Sequence, residues 1–258
     1  MAEEISESAP IVVAGTGGSG TRAVVRFLVK CGVDMGETNG VGDALAFVGL
    51  LDRHINSVLE LTRSSNYDPY ALPDRMREEI VADYRRAARE HRPGKNDECR
   101  WGFKNPRHIF LFPLLNLALP KATFVHVVRD GRDMLLSENK RQPNSHFEAL
   151  FGREFSNSHE DIARFWSRTN AGTKQFGSAL GSRYLNVRIE DLWGPERRKH
   201  IQHLADVLAL DPDIALRRER IFQERESYGR GRVVQFELSP ETRADFEAAL
   251  SEFGYIPG

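Results

Sequence analysis

Four glycines fall within the six residues Gly15-Thr16-Gly17-Gly18-Ser19-Gly20, and Thr21-Arg22 follow. Glycine backbones turn tightly and can aim successive N–H groups at one point, which suits a phosphate or sulfate. A second anion-holding pair lies farther on. Arg129 comes directly after the β-rich run Thr123–Val128 (TFVHVV), and Ser137 follows eight residues later. A forked, permanently charged guanidinium and a hydroxyl can share one phosphate. A third segment, Trp101-Gly-Phe-Lys104-Asn-Pro106-Arg107-His108, offers an ammonium and an imidazole.

Three ligand classes fit the glycine loop. The spacing from Gly15 to Gly20 suits a nucleoside triphosphate loop, but Lys-Ser/Thr should then follow, and Thr21-Arg22 stands there instead. Without that lysine, ordinary triphosphate hydrolysis or kinase chemistry is disfavoured. Gly15, Gly17 and Gly20 also spell G-x-G-x-x-G, the dinucleotide pattern. That reading needs a second strand ending in an acid, and residues 31–37, with Glu37, make a poor strand. The third class is a phosphosulfate.

The elements that must position these residues are legible in the periodicity. Residues 11–14 form an apolar run, and Ala23, Val24, Phe27 and Leu28 follow at helical spacing. The loop therefore joins a strand to a helix, whose N-terminus favours an anion. Helices are expected over 44–63, 73–91, 109–119, 133–141, 162–180, 196–209, 213–223 and 240–253. Strands are expected over 101–103, 123–128 and 184–189, and 142–158 reads as a long polar connection. Strands alternating with helices, through connections too long for hairpins, imply a parallel sheet. The expectation is one α/β domain over 1–258 with a central parallel sheet. Residues 1–10 would be a flexible start and 44–91 a helical insertion.

Composition narrows the classes. The chain has 258 residues, 36 Lys+Arg against 37 Asp+Glu, and a formal net charge of -1. Such a balance argues against a protein that coats nucleic acid, but allows a local basic site. Two cysteines, Cys31 and Cys99, are too few for a disulfide framework or a cysteine zinc site, and point to a reduced, cytoplasmic setting. His200 and His203 lack a third ligand, so no metal is expected. No apolar run reaches the ~20 residues that span a bilayer.

With these motifs in order, the chain resembles the PAPS-dependent sulfotransferases, which share a P-loop nucleoside triphosphate hydrolase-like fold and use 3′-phosphoadenosine 5′-phosphosulfate (PAPS). Gly17, Gly18, Ser19, Gly20, Thr21 and Arg22 look like the family's phosphosulfate loop, although Gly18 stands where a Lys or Arg is common. Arg129 and Ser137 match its 3′-phosphate motif. Lys104 resembles the lysine of a Lys-x-Pro segment that reaches the transferring group, and can supply the cation missing at Gly18. The segment 184–192 resembles the family strand ending in Tyr-Glu-Asp, with Ile189 in place of tyrosine. Arg230, Gly231 and Arg232 resemble its basic glycine loop near the nucleotide.

The resemblance implies sulfuryl transfer from PAPS, with no metal, to a hydroxyl or amine of a small-molecule, carbohydrate or lipid-linked acceptor. A base must take the acceptor proton. Asp43 and Glu37 match where relatives place a carboxylate, and His108 is the other candidate. Segments 34–100 and 142–160 are expected to shape the acceptor pocket. The competing readings are a degenerate P-loop kinase-like protein, a catalytically silent nucleotide-binding module and, third, a dinucleotide oxidoreductase.

Overall fold

The computed structural model describes residues 9–92, 100–224 and 226–256. Four strands, β1 (Ile11–Gly15), β2 (Gly102–Lys104), β3 (Thr123–Val128) and β4 (Tyr184–Arg188), form a sheet in the order β2-β1-β3-β4. Every pairing is parallel. The two central strands, β1 and β3, carry the most continuous apolar sequences, as strands covered on both faces require. The register sets Val13 beside both Lys104 and Val125, and Gly15 beside Val127. Parallel strands all end on one edge. The glycine loop after β1, Lys104 ending β2 and Arg129 following β3 therefore emerge together, on the edge where open α/β sheets bind ligands.

Side chains alternate between two faces. On one, Ile11, Val13, Val125 and Val127 pack with Val24, Phe27 and Leu28 of α1 (Thr21–Lys30). Ile201 and Leu204 of α8 (Arg197–Val207) and Ala215 of α9 (Pro212–Arg217) close that layer. On the other, Val12, Ala14 and Phe124 meet three more helices: α2 (Leu45–Thr62), α3 (Asp74–His91) and α4 (Phe112–Ala118). A third cluster gathers α5 (Gly131–Leu135), α7 (His159–Ser178) and α10 (Pro240–Glu252) around Trp166. No described helix is long and apolar enough to cross a membrane.

Several expected boundaries move. The polar stretch expected as a connection over 142–158 contains α6 (Arg141–Phe151). Pro143, His146, Phe147 and Leu150 recur at helical spacing and are buried, and a proline in the first turn loses no helical hydrogen bond. The helix expected over 133–141 is confined to α5. The one expected over 109–119 begins as a 3-10 turn, Pro106–Phe110, before α4. The one over 213–223 stops at Arg217, and a 3-10 turn, Glu219–Ile221, follows it. Residues 1–8 of the expected flexible start lie outside the described residues. Pro10 is buried, and its carbonyl accepts from Thr123 N at 2.9 Å, so the chain is anchored to the sheet there.

Two buried histidines make stability depend on pH. His126, within β3, bonds Tyr184 Oη at 2.7 Å through Nδ1 and Asn170 Oδ1 at 3.0 Å through Nε2. His146, on α6, bonds Asn56 Oδ1 at 2.7 Å. Burial pulls the pKa of each down to about 4. An unfolded histidine titrates near 6.5, so below that pH the unfolded chain binds more protons than the native one. The contribution is complete above about pH 6.5 and is lost as the pH falls toward 4, on the order of 3 kcal/mol per histidine. Urea unfolding at pH 7.0, 5.5 and 4.5 should show this fall. Gln at both positions should reduce the fall, leaving the share of buried His108, and an unchanged slope in that variant would contradict the assignment.

Candidate functional site

A cleft of about 670 Å³ opens at the C-terminal edge of the sheet. It brings together Gly17, Gly18, Gly20, Thr21, Arg22, Asp43, Lys104 and Arg129 of the residues singled out from sequence. The loop has its turn because Gly18 and Gly20 adopt φ of 98° and 97°, a region that side chains disfavour. A methyl at Gly20 would also lie 2.6 Å from Ile189 Cγ1. This gives the Ile189 position a packing role against the loop. Ser19 lies beneath the loop, fully buried, and does not line the cleft. The hydroxyls of Thr16 and Ser19 are both buried without a protein partner.

Lys104 is 3% exposed. Its Nζ donates to Asp43 Oδ1 at 2.6 Å and to the Val41 carbonyl at 3.2 Å. Burial pulls the Lys104 pKa below the ordinary lysine value, and the Asp43 hydrogen bond opposes that pull. Asp43 is held by its own loop. Asn39 Oδ1 accepts the N–H groups of Val41 at 3.0 Å and Asp43 at 2.9 Å, while Ala44 N donates to the Lys104 carbonyl at 2.7 Å. An asparagine turn and one strand-end hydrogen bond thus fix the ion pair against the cleft wall. Glu37 is exposed and does not line the cleft.

The structure sets His108 apart from this group. Its ring is fully buried among Phe47, Phe103 and Tyr84, with Nδ1 3.2 Å from Tyr84 Oη. Burial and nearby Arg107 hold its pKa well below the ordinary value. It does not line the cleft, so this geometry gives it no route to an acceptor proton.

At the other end, Arg129 is 6% exposed. It donates to Asp133 Oδ2 at 3.2 Å and to the Ser227 carbonyl, and its guanidinium lies 4.4 Å from the Tyr228 ring centroid. Its Nε is buried without a protein partner. Fully buried Asp133 also accepts from Gly229 N at 2.7 Å and Gly231 N at 2.9 Å. One carboxylate therefore docks the basic glycine loop onto the arginine that follows β3. Within that loop, Arg230 donates to the Leu136 carbonyl at 3.3 Å and Arg232 to Asp130 Oδ2 at 3.3 Å. Neither arginine lines the cleft, nor does Gly231. Ser137 does not line it either, although its Oγ lies 3.6 Å from where a Gly18 Cβ would be.

Some site features escaped the sequence reading. Tyr228 stacks on Trp193, with centroids 5.5 Å apart and planes 12° apart, next to Arg129. Gln142, 4% exposed, accepts from Gly17 N at 2.9 Å and donates to the Gly15 carbonyl at 3.2 Å. It clamps both sides of the glycine loop from the start of α6. The helical spacing of 143, 146, 147 and 150 could have revealed the helix, but no local signal marks the clamp. Gln142→Ala frees two backbone groups and loosens the loop. It should weaken binding of an anionic ligand at the loop about 5- to 30-fold, taking roughly 1–2 kcal/mol for the lost hydrogen bonds. Titration calorimetry checks this, and unchanged affinity would show that the loop holds its shape unaided.

A glycine loop at the C-terminal edge of an all-parallel sheet, faced by buried cations, defines a P-loop-like α/β protein built to hold an anionic group. The family model described as the sulfotransferase family matches residues 10–213, and the chain belongs to that family. Among solved structures, it is similar to the sulfotransferase domain from the Synechococcus PCC 7002 olefin synthase. The identity is 14% over 98% of this chain and 97% of that one, with a TM-score of 0.58. It is also similar to sulfotransferase STF9 from Mycobacterium avium, at 13% identity over 96% of this chain and 77% of that one, with a TM-score of 0.50. No curated protein matches the sequence. The family membership makes this a transferase of sulfuryl groups.

Proposed function

We propose that the protein transfers a sulfuryl group from PAPS to an acceptor hydroxyl. The observation that carries this reading is the cleft itself. Its lining brings the glycine loop, Arg129 and the Lys104–Asp43 pair together. The donor fits the polar atoms present. Arg129 lines the cleft and its buried Nε lacks a protein partner, so it can serve an anionic nucleotide. The loop residues 17–22 would hold the phosphosulfate. Arg129 would hold the 3′-phosphate, with Gly229 and Gly231 docked beside it on Asp133 and Arg230 and Arg232 in the same loop; Ser137, which does not line the cleft, would need to turn toward it to share that phosphate. PAPS supplies a sulfuryl group whose bond to the bridging phosphate oxygen breaks as the acceptor oxygen bonds to sulfur.

The chain's own residues do the rest. Lys104 offers a nearly desolvated positive charge to the oxygens that gain charge in the transfer, in the role that Gly18 leaves open. Asp43 has one oxygen on Lys104, and Oδ2 remains to take the acceptor proton. Asn39 accepts the Asp43 backbone N–H and so fixes the residue that carries the carboxylate. Sulfuryl transfer, like phosphoryl transfer, relies on positioning and charge stabilisation.

Calorimetry with adenosine 3′,5′-bisphosphate (PAP), ATP and NAD tests the reading. PAP should bind, with ATP and NAD giving little signal. A folded protein that ignores PAP would overturn it. ATP binding in preference to PAP would support the kinase-like alternative.

A further inference from the structure

Asn105, the residue after Lys104, has a hydrogen-bonding group that the fold does not use. β2 ends at Lys104, and Asn105 continues it with φ -146° and ψ 128°, still extended. Successive residues of an extended chain face opposite ways. Phe103 packs with Val12 in the layer of α2, α3 and α4, while Lys104 lies beside Val13, which packs in the layer of α1. Asn105 therefore meets the end of β2 from the face opposite to Lys104. Both residues line the cleft.

Asn105 is 1% exposed. Its Oδ1 accepts from Arg107 N at 3.1 Å and caps the 3-10 turn that begins at Pro106. A backbone N–H can only donate, so the oxygen faces it and Nδ2 is directed elsewhere. Nδ2 is buried and has no hydrogen-bond partner. The cap needs only the oxygen, and aspartate would serve it as well. The nitrogen is thus superfluous to the turn, and burying it unpartnered costs stability. An orphaned donor in a cleft wall marks a place for a ligand oxygen.

The sheet order indicates which oxygen. Arg129 follows β3, the glycine loop follows β1 and Asn105 follows β2, with β1 in the middle. A donor with its 3′-phosphate at Arg129 and its phosphosulfate at the loop has the β2 side left for the sulfuryl end. Sulfuryl oxygens only accept, and an amide N–H only donates, so the two match. An acceptor hydroxyl has to lose a proton, which calls for a base such as Asp43 rather than for another donor.

Resting on the sulfotransfer reading above, we infer that Asn105 is a second donor to the sulfuryl group of PAPS, its Nδ2 holding a sulfuryl oxygen from the face of β2 opposite to Lys104.

PAPS and PAP differ by the sulfuryl group alone, so calorimetry with both reads this contact directly. Asn105→Asp keeps an oxygen for the Arg107 N–H and removes the donor, and Asn105→Ala removes both. Both variants should bind PAPS about 10-fold or more weakly, the range for a hydrogen bond to a charged group, with PAP affinity held within about 2-fold. Asn105→Asp should also keep the wild-type melting temperature. The loss must appear in both variants, because aspartate alone could repel the sulfuryl group through its charge. An Asp variant that binds PAPS as the wild type does would reduce Asn105 to a turn cap and overturn the inference. A loss confined to either variant, or equal losses for PAPS and PAP, would overturn it too. A folded wild-type protein that binds neither nucleotide would instead refute the underlying sulfotransfer reading.

Discussion

Lys104→Ala is expected to lower kcat for sulfuryl transfer by roughly 10²–10³-fold, the usual cost of removing one donor aimed at developing charge. PAP affinity should change much less, because PAP lacks the sulfuryl group on which Lys104 acts. The size of the effect follows from burial. An ammonium only 3% exposed interacts through a low local dielectric, where one charge counts for more than it would in water. Gly18 adds to the effect, since the loop has no cation at that position to share the load. Arginine should not substitute well, because its longer planar head cannot keep both the 2.6 Å contact to Asp43 and the 3.2 Å contact to the Val41 carbonyl. Single-turnover rates at saturating PAPS isolate the step. A variant that keeps full activity would remove Lys104 from the chemistry. A variant that loses PAP affinity and kcat in parallel would show that the lysine mainly supports the loop around Asp43. Asp43→Asn separates the two roles, since it keeps the steric outline and removes the base. It should cost 10²–10⁴-fold in kcat if Asp43 takes the acceptor proton.

The parts of this site written in continuous sequence are legible in the sequence alone. The glycine loop announces itself because its chemistry needs glycine at adjacent positions, and the TFVHVV strand because buried parallel strands are apolar throughout. Arg129 was legible as the residue that follows such a strand. Parallel register then carried Lys104 to the same edge, which no local pattern could state. The misses have a common origin. Gln142 and Trp193 act through partners distant in sequence, such as the 125-residue separation between Gly17 and Gln142. The stretch after 141 reads as a loop because its exposed positions are polar and a proline interrupts it, and its buried face mixes Gln142 and His146 with Pro143, Phe147, Ala149 and Leu150. His108 was the opposite case. Its spacing from Lys104 suggested chemistry, but the 3-10 turn rotates the ring into the aromatic core.

Arg129→Ala should weaken PAP binding by about 2–4 kcal/mol, roughly 30- to 700-fold, the range for truncating one partner of a buried charge pair. The same change should alter AMP affinity by no more than about 5-fold, since AMP lacks the 3′-phosphate. That contrast separates a direct contact from general damage, and it matters because Arg129 has two jobs. It faces the cleft, and it helps neutralise Asp133, which is fully buried. Removing the guanidinium leaves Asp133 with the N–H groups of Gly229 and Gly231. Two backbone hydrogen bonds to a carboxylate keep the basic loop docked, so the fold should survive with a modest loss of stability. If the loop undocks instead, Tyr228 loses its place over the arginine and both nucleotides should weaken equally. Equal losses for PAP and AMP would therefore assign Arg129 to holding the loop rather than reading the 3′-phosphate. Salt gives a second check, because a direct ion contact makes wild-type PAP affinity fall more steeply with ionic strength than that of the alanine variant.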